Sequence, residues 1–307
     1  MNLFAVKKIN TKPPKGGAQN CEAFIMKKII FPSILILSLL FIGSCRRTQV
    51  PTPEVNVVQA KEITLDPNNA VWNSVSLHTS KMILQDLVEP RLLEPSTPEI
   101  QVKAITSGTE IAFRLEWMDE TQNDLASPKH FIDGCAVQLP AKIDPNVPAP
   151  QMGEVGKTVD ISYWRADWQA IVDGRADEIT SIYPNASVDH YPFQAKSLEN
   201  NPQAKNEAEL RYSPARALGN RRSGPRDQPV EDLIAEGPGT LSPAPAAISK
   251  GKGVRTAKGW AVVITRPIPS GFSVSTPSQI AFAIWEGSHT EVGARKMRTG
   301  WVPLIMK

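Results

Sequence analysis

Cysteine and histidine are both scarce in this chain, with three and four copies in 307 residues. No Cys-x-x-Cys-His occurs, which excludes covalent attachment of a c-type haem. His78, His130, His190 and His289 share no metal-ligand spacing and read as surface or turn residues. Also missing are Gly-x-Ser-x-Gly, His-Glu-x-x-His, a phosphate loop and a dinucleotide fingerprint, so the common hydrolase, zinc-peptidase and nucleotide-binding chemistries lack their signatures. Carboxylates are dispersed, and no pair stands out for glycoside hydrolysis. The acid-rich run 167–178 lacks the glycine-centred pattern of a calcium loop and reads as a solvated turn. No repeat is visible, and nothing here amounts to a catalytic set.

Charge of one sign is also missing. The net charge of +3 is misleading, because residues 1–44 hold six lysines and a single acid, Glu22; without them it falls to −2. Nucleic-acid binding therefore has no bulk electrostatic support. Within that segment, Met26–Cys45 has two lysines, an apolar run from Ile29 to Ile42, then Ile-Gly-Ser-Cys. That is the layout of a secretory signal, and the run is short against the roughly 20 residues of a membrane span. The ending resembles a bacterial lipobox, with Cys45 lipidated as the mature N-terminus. The expected organisation is an upstream extension (1–25), a lipoprotein signal (26–44), a tether (45–61) and one domain (62–307). The protein would be exported to the periplasm or an equivalent compartment, lipid-anchored to the membrane surface. Cys135 would be the one thiol left in the domain and reads as a buried small hydrophobe.

What is present in quantity is proline (27) and short apolar runs, a combination that favours β structure over a helical bundle. The clearest strand is Glu110–Trp117, where Ile111, Phe113, Leu115 and Trp117 alternate with Ala112, Arg114 and Glu116. With Val102–Thr106 and the turn Ser-Gly-Thr it predicts a hairpin. Further strands are expected at 134–139, 159–164, 259–266, 279–285 and 301–306, and residues 70–95 fit short strands. Helix is expected only at 164–172 and 230–235, and residues 193–230 form a polar excursion. The fold class is therefore all-β: an antiparallel β-sandwich with long elaborated loops and few short helices.

Two loops stand out: Gln-Met-Gly-Glu-Val-Gly-Lys (151–157), which sets a thioether in a glycine-rich turn, and Gly-Ala-Arg-Lys-Met-Arg-Thr-Gly-Trp (293–301). With them come Phe-Arg-Leu-Glu-Trp-Met-Asp-Glu-Thr (113–121), Phe-Ile-Asp-Gly-Cys-Ala-Val-Gln-Leu-Pro (131–140), Ile-Ser-Tyr-Trp-Arg-Ala-Asp-Trp-Gln (161–169), Tyr-Ser-Pro-Ala-Arg-Ala-Leu-Gly-Asn (212–220), Pro-Val-Glu-Asp-Leu-Ile-Ala-Glu-Gly-Pro-Gly-Thr-Leu (229–241) and Ile-Ala-Phe-Ala-Ile-Trp-Glu-Gly-Ser (280–288). In that order, from about Trp72 to the C-terminus, the chain resembles the haem-b-binding gamma subunit of ethylbenzene dehydrogenase. The same domain occurs in dimethyl sulfide dehydrogenase, chlorate and selenate reductases and nitrite oxidoreductase.

The resemblance implies one non-covalent haem b held between the sheets, with Met152 and Lys296 as the two axial ligands of its iron. Glycines 153 and 156 would let the backbone approach the macrocycle. A thioether favours ferrous iron, and a lysine ligates only as the neutral amine, so its site must be dry. Met297, next along a strand, would point the opposite way. Arg295 or Arg298 would pair with the propionates. Tyr163, Trp164, Trp168, Phe282 and Trp285 would line the haem edge, although core packing accounts for them equally well. The implied role is a non-catalytic electron-transfer subunit. Its partners would be an iron–sulfur beta subunit, a molybdenum catalytic alpha subunit and a soluble carrier such as a c-type cytochrome. The alternatives are a carbohydrate- or ligand-binding sandwich using exposed Trp and Tyr as stacking platforms, and a structural subunit without haem.

Overall fold

In the computed structural model, short β-branched and aromatic runs become fourteen strands among the described residues, which are 50–176, 179–186, 200–212, 220, 222 and 226–307. In chain order they are β1 (Val55–Gln59), β2 (His78–Lys81), β3 (Ile83–Leu84), β4 (Glu99–Thr106), β5 (Glu110–Met118), β6 (Gly134–Pro140) and β7 (Val159–Arg165). There follow β8 (Val230–Ala235), β9 (Ser242–Pro243), β10 (Lys250–Arg255), β11 (Gly259–Pro267), β12 (Ser278–Trp285), β13 (Met297–Arg298) and β14 (Val302–Met306). The lipobox and Cys45, the extension 1–25, the first residues of the tether (45–49) and His190 lie outside the described residues.

The strands run β10-β11-β5-β4-β1-β14-β12-β6-β7-β8-β9, with β2 beside β4 and β13 between β12 and β3. Strand β12 makes the corner. Its first residues, Ser278–Ile280, pair with β14, whereas Ala281–Trp285 pair with β6. One layer is thus β10-β11-β5-β4-β1-β14 and the other β12-β6-β7-β8-β9. Phe113, Leu115, Val262 and Ile264 of the first share a buried cluster with Val137, Leu139, Trp164, Phe282 and Ile284 of the second. This is the interior of a sandwich. The predicted hairpin is β4–β5, with Ile111, Phe113, Leu115 and Trp117 all buried. Ala112, on the opposite face, is also buried, under a small cluster with Trp72, Val75, Ile105 and Val263.

Several expectations are corrected. The ordered domain begins before Glu62. The Val-Asn-Val-Val-Gln run at the end of the supposed tether is β1, which lies parallel between β4 and β14 with Val55 and Val57 fully buried. It supplies the parallel pairings in an otherwise antiparallel arrangement. Val230–Ala235 is not a helix but β8, paired along its length with β7. Its alternation is masked because two acids are buried in it: Glu231 meets Arg222 at 2.7 Å, and Asp232 accepts from the Ile248 and Ser249 amides. The 164–172 helix is shorter, Ala166–Val172, because Trp164 and Arg165 still belong to β7. Asp167, read as part of a solvated turn, is buried against Arg165. The polar excursion carries a helix, Pro202–Tyr212, and a one-turn helix, Ile179–Ile182, precedes it. His78 is a buried strand residue whose two ring nitrogens lie 2.7 Å from Thr52 O and 2.6 Å from Ser80 Oγ, not a surface or turn residue. No helix among the described residues is long and apolar enough to cross a membrane.

Candidate functional site

Because side chains alternate along a strand, the second layer has an outer face that does not enter the sandwich core. Ala136 and Gln138 of β6, Ile161 and Tyr163 of β7, Leu233 of β8 and Ala281, Ala283 and Trp285 of β12 form its floor. The three alanines keep that floor low. Residues 85–88, 150–152, 238–241 and 292–296 rise around it, enclosing a cavity of about 400 Å³, within the range of cofactor sites. The expected position between the sheets is therefore corrected. The inter-sheet space is filled by Trp164, Phe282 and their neighbours, and the cavity lies on the far side of one sheet.

Met152 and Lys296 face each other in this cavity, with Lys296 Nζ 3.6 Å from Met152 Sδ. Each loop is fastened. The Gly237 amide donates to Met152 O at 2.7 Å, Gln138 Nε2 to Pro150 O at 3.0 Å and Trp301 Nε1 to Pro148 O at 2.6 Å. Gly153 and Gly156 shape this turn and do not themselves line the cavity. Both have positive φ, and a Cβ on Gly153 would meet Lys157 O at 2.7 Å and Ala235 O at 3.0 Å. Met152 itself sits at φ 68°, a left-handed conformation that costs a long side chain about 1–2 kcal/mol. On the other wall, Gln85 Nε2 donates to Val88 O and to Ala294 O, both at 2.9 Å, and Trp285 Nε1 donates to Gly293 O at 3.0 Å. Parity then holds as expected: Met297 enters the inter-sheet cluster, while Lys296 and Arg298 line the cavity.

The electrostatics are one-sided. Lys296, Arg298, Arg165 and Arg222 line the cavity, and no Asp or Glu does so among the described residues. Arg165 is paired with Asp167 and Arg222 with Glu231. Lys296 is pushed down to about 8, by burial first and then by the Arg298 cation. Its ammonium lies 5.2 Å from the centre of the Trp285 ring. Burial also lowers Arg298, opposed by Asp86, and Arg298 Nε is sealed from solvent with no hydrogen-bond partner among the described residues. Tyr163, pushed up to about 12 by burial, keeps its phenol proton.

Of the residues expected here, Met152, Lys296, Arg298, Tyr163 and Trp285 line the cavity. Phe282 borders it, but its ring belongs to the inter-sheet cluster. Trp164 does not reach it: fully buried on the inner face of β7, it packs edge-on to Trp117 and Trp260. Trp168 packs edge-to-face on Tyr163 with ring centres 5.6 Å apart and does not line the wall, nor does Arg295. Gln85, Gln138, Arg165 and Arg222 were not expected; no spacing in the sequence joins them to either loop. Neither His78, His130 nor His289 lines the cavity. None of the seven tryptophans is exposed, so a carbohydrate-binding reading loses its tryptophan platforms; Tyr183 is exposed but does not line the cavity.

A soft thioether opposite an amine close to neutrality is a ligand pair for a transition metal. The apolar floor with cations at its edge suits a flat, amphipathic, anionic ligand. Comparisons with known proteins agree with that chemistry. A predicted respiratory nitrate reductase heme subunit, ORF7 of Haloferax mediterranei, is 22% identical over 276 residues, covering 87% of this chain and 78% of the relative. The chlorate reductase subunit gamma of Ideonella dechloratans is 22% identical over 203 residues, 64% of this chain and 59% of its own length. A family 9 carbohydrate-binding module from Caldicellulosiruptor kristjanssonii, solved with cellotriose, covers 82% of this chain and 93% of itself at 10% identity and a TM-score of 0.39, too distant to bear on the ligand. Residues 69–297, most of the described chain, match the family described as ethylbenzene dehydrogenase, and the chain belongs to that family.

Proposed function

We propose that this chain is the haem b subunit of a multi-subunit molybdenum oxidoreductase, carrying electrons and performing no chemistry on the substrate itself. The observation that carries the proposal is the opposed pair Met152 Sδ and Lys296 Nζ, 3.6 Å apart in a cavity lined by no carboxylate among the described residues. Haem b, bound there, supplies a one-electron ferric/ferrous couple. The residues present fit it. Met152 offers a neutral soft donor that favours the ferrous state, and Lys296 is already biased toward the neutral amine by burial. Arg298, whose Nε has no hydrogen-bond partner among the described residues, would pair with a propionate, and Arg165 and Arg222 would add positive charge at the same cavity. Ala136, Ala281 and Ala283 leave room for a flat ring, with Tyr163 and Trp285 beside it. Two protein ligands leave no open position, which suits electron transfer and not oxygen chemistry.

In this reading the electrons pass between an iron–sulfur subunit, itself served by a molybdenum subunit, and an external carrier such as a c-type cytochrome. Protein purified with its partners should show a b-type spectrum with one haem per chain, and its haem should be reduced or oxidised by the complex's substrate. A colourless chain from haem-replete cells, or substrate turnover by the isolated chain, would overturn the proposal.

We also propose export with a lipid on Cys45, supported by the Met26–Cys45 sequence pattern. Cys45→Ala should abolish lipidation and release the protein from membranes. Intact mass of the native protein checks this, and an unmodified N-terminus well upstream of residue 45 is the contrary result.

A further inference from the structure

Three of the sequence blocks that carry the family resemblance contain an acid to which the haem site gives no work: Asp119 just after β5, Asp133 just before β6 and Glu286 just after β12. The fold brings these three together at one end of the sandwich, one from the first layer and two from the second. Each presents a carboxylate oxygen within 4.8 Å of the others, and all three residues are buried.

Two of the carboxylates have donors. Asp133 accepts from the Asn123 amide (2.7 Å), the Gly287 amide (2.9 Å) and Trp260 Nε1 (3.0 Å). Glu286 accepts from the amide and hydroxyl of Ser288. Asp119 differs. Its Oδ1 accepts from the Thr121 amide at 2.9 Å, but Oδ2 has no hydrogen-bond partner among the described residues, in a side chain that is 1% exposed. The nearest cation, Arg255, leaves Oδ2 without a donor: its Nη2 donates to the Asp119 backbone carbonyl at 2.7 Å and its Nη1 stays 3.8 Å from Oδ1, while half-exposed His289 pairs with Glu286. An anionic oxygen sealed from water without a donor is costly unless a cation or a proton meets it.

We propose that Asp119, Asp133 and Glu286 hold a calcium ion that clamps the two layers of the sandwich. Two oxygens on one calcium at 2.3–2.6 Å can be at most about 5 Å apart, and the 4.8 Å spread of this trio fits that limit. Further oxygens are at hand. Thr121 Oγ1 lies 3.3 Å from both Asp119 Oδ1 and Glu286 Oε1, and 2.7 Å from Asn123 Oδ1. The donors are oxygen throughout, which selects a hard cation. The burial leaves little place for the waters that magnesium retains, which favours calcium over magnesium. This site is separate from the haem cavity, and the proposal does not rest on that reading.

Trp260, hydrogen-bonded to Asp133, is a built-in antenna for a luminescent calcium substitute. In the full protein stripped with EDTA, added terbium excited through tryptophan should give saturable emission that calcium displaces. Calcium itself should raise the melting temperature, by roughly 5–10 °C at a hundredfold excess over Kd. Asp119→Asn should abolish both effects while the far-UV circular dichroism stays unchanged; should that variant not fold, Glu286→Gln gives the same reading. Wild-type protein with no saturable emission and no calcium-dependent melting shift would overturn the proposal. So would a folded Asp119→Asn variant that keeps both.

Discussion

Met152→Gly is expected to be more stable than Met152→Ala, the reverse of the usual order. The residue sits at φ 68°, where alanine keeps the steric cost of a Cβ and glycine does not. The difference should be about 1 kcal/mol in denaturant unfolding of the haem-free chain. Both variants remove the thioether. In the haem-loaded protein both should shift the ferric spectrum toward high spin as water takes the vacated position. The potential should fall by a sizeable fraction of the roughly 0.8 V over which axial ligands set haem potentials. The two readouts separate backbone from ligand: a stability order of Gly above Ala tests the turn, and the spectrum tests the thioether. A wild-type low-spin spectrum in both variants would reject Met152 as a ligand.

Lys296→Met should stabilise the haem-free protein at pH 7 and flatten its dependence on alkaline pH. The folded protein holds the Lys296 proton less tightly than the unfolded chain, with the pKa displaced from 10.5 to about 8. Between those values the unfolded state binds more protons, so wild-type stability should rise with pH across that window. Below about pH 8 both states are protonated and the penalty of burying the ammonium is fully present. At ~1.4 kcal/mol per unit the shift sets a ceiling of about 3 kcal/mol. With haem bound the sign of interest changes. Acid competes with the metal for the amine, so the wild-type spectrum should show an acid transition that Met152→Gly retains and Lys296→Met lacks. An identical pH profile in wild type and Lys296→Met, in both stability and spectrum, would remove Lys296 from the site.

Alternation in burial was not enough: β10 alternates, but its buried positions are Gly251 and Gly253, and it was missed. Strands were legible where large apolar residues do the alternating. The β4–β5 hairpin shows this, with Arg114 and Glu116 left partly exposed opposite Phe113 and Leu115. β8 was illegible because partners distant in sequence neutralise its buried acids, and local periodicity carries no trace of them. The two loops of the site were recognisable, but what fixes them was not. Gln85 reaches Ala294 across 209 residues, and Gln138 reaches a proline carbonyl on a loop it does not belong to. Among the aromatic assignments, Tyr163 and Trp285 line the cavity, and parity excludes Trp164. Tyr163 and Trp164 are neighbours on one strand and cannot share a face, so only one of them could have joined the cavity. The sequence alone did not show which layer's outer surface would carry the site, since that depends on β12 turning the corner between layers.

That the cavity lies behind the second sheet, and not within the sandwich, sets an order of assembly. The inter-layer cluster closes on its own side chains, with Trp164 and Phe282 filling the space that a buried pigment would otherwise have had to complete. A chain built this way can fold before it takes up its pigment, and the haem-free chain should then give a cooperative unfolding transition of its own. If the chain is exported as proposed, insertion can wait until it reaches the compartment where the pigment is supplied.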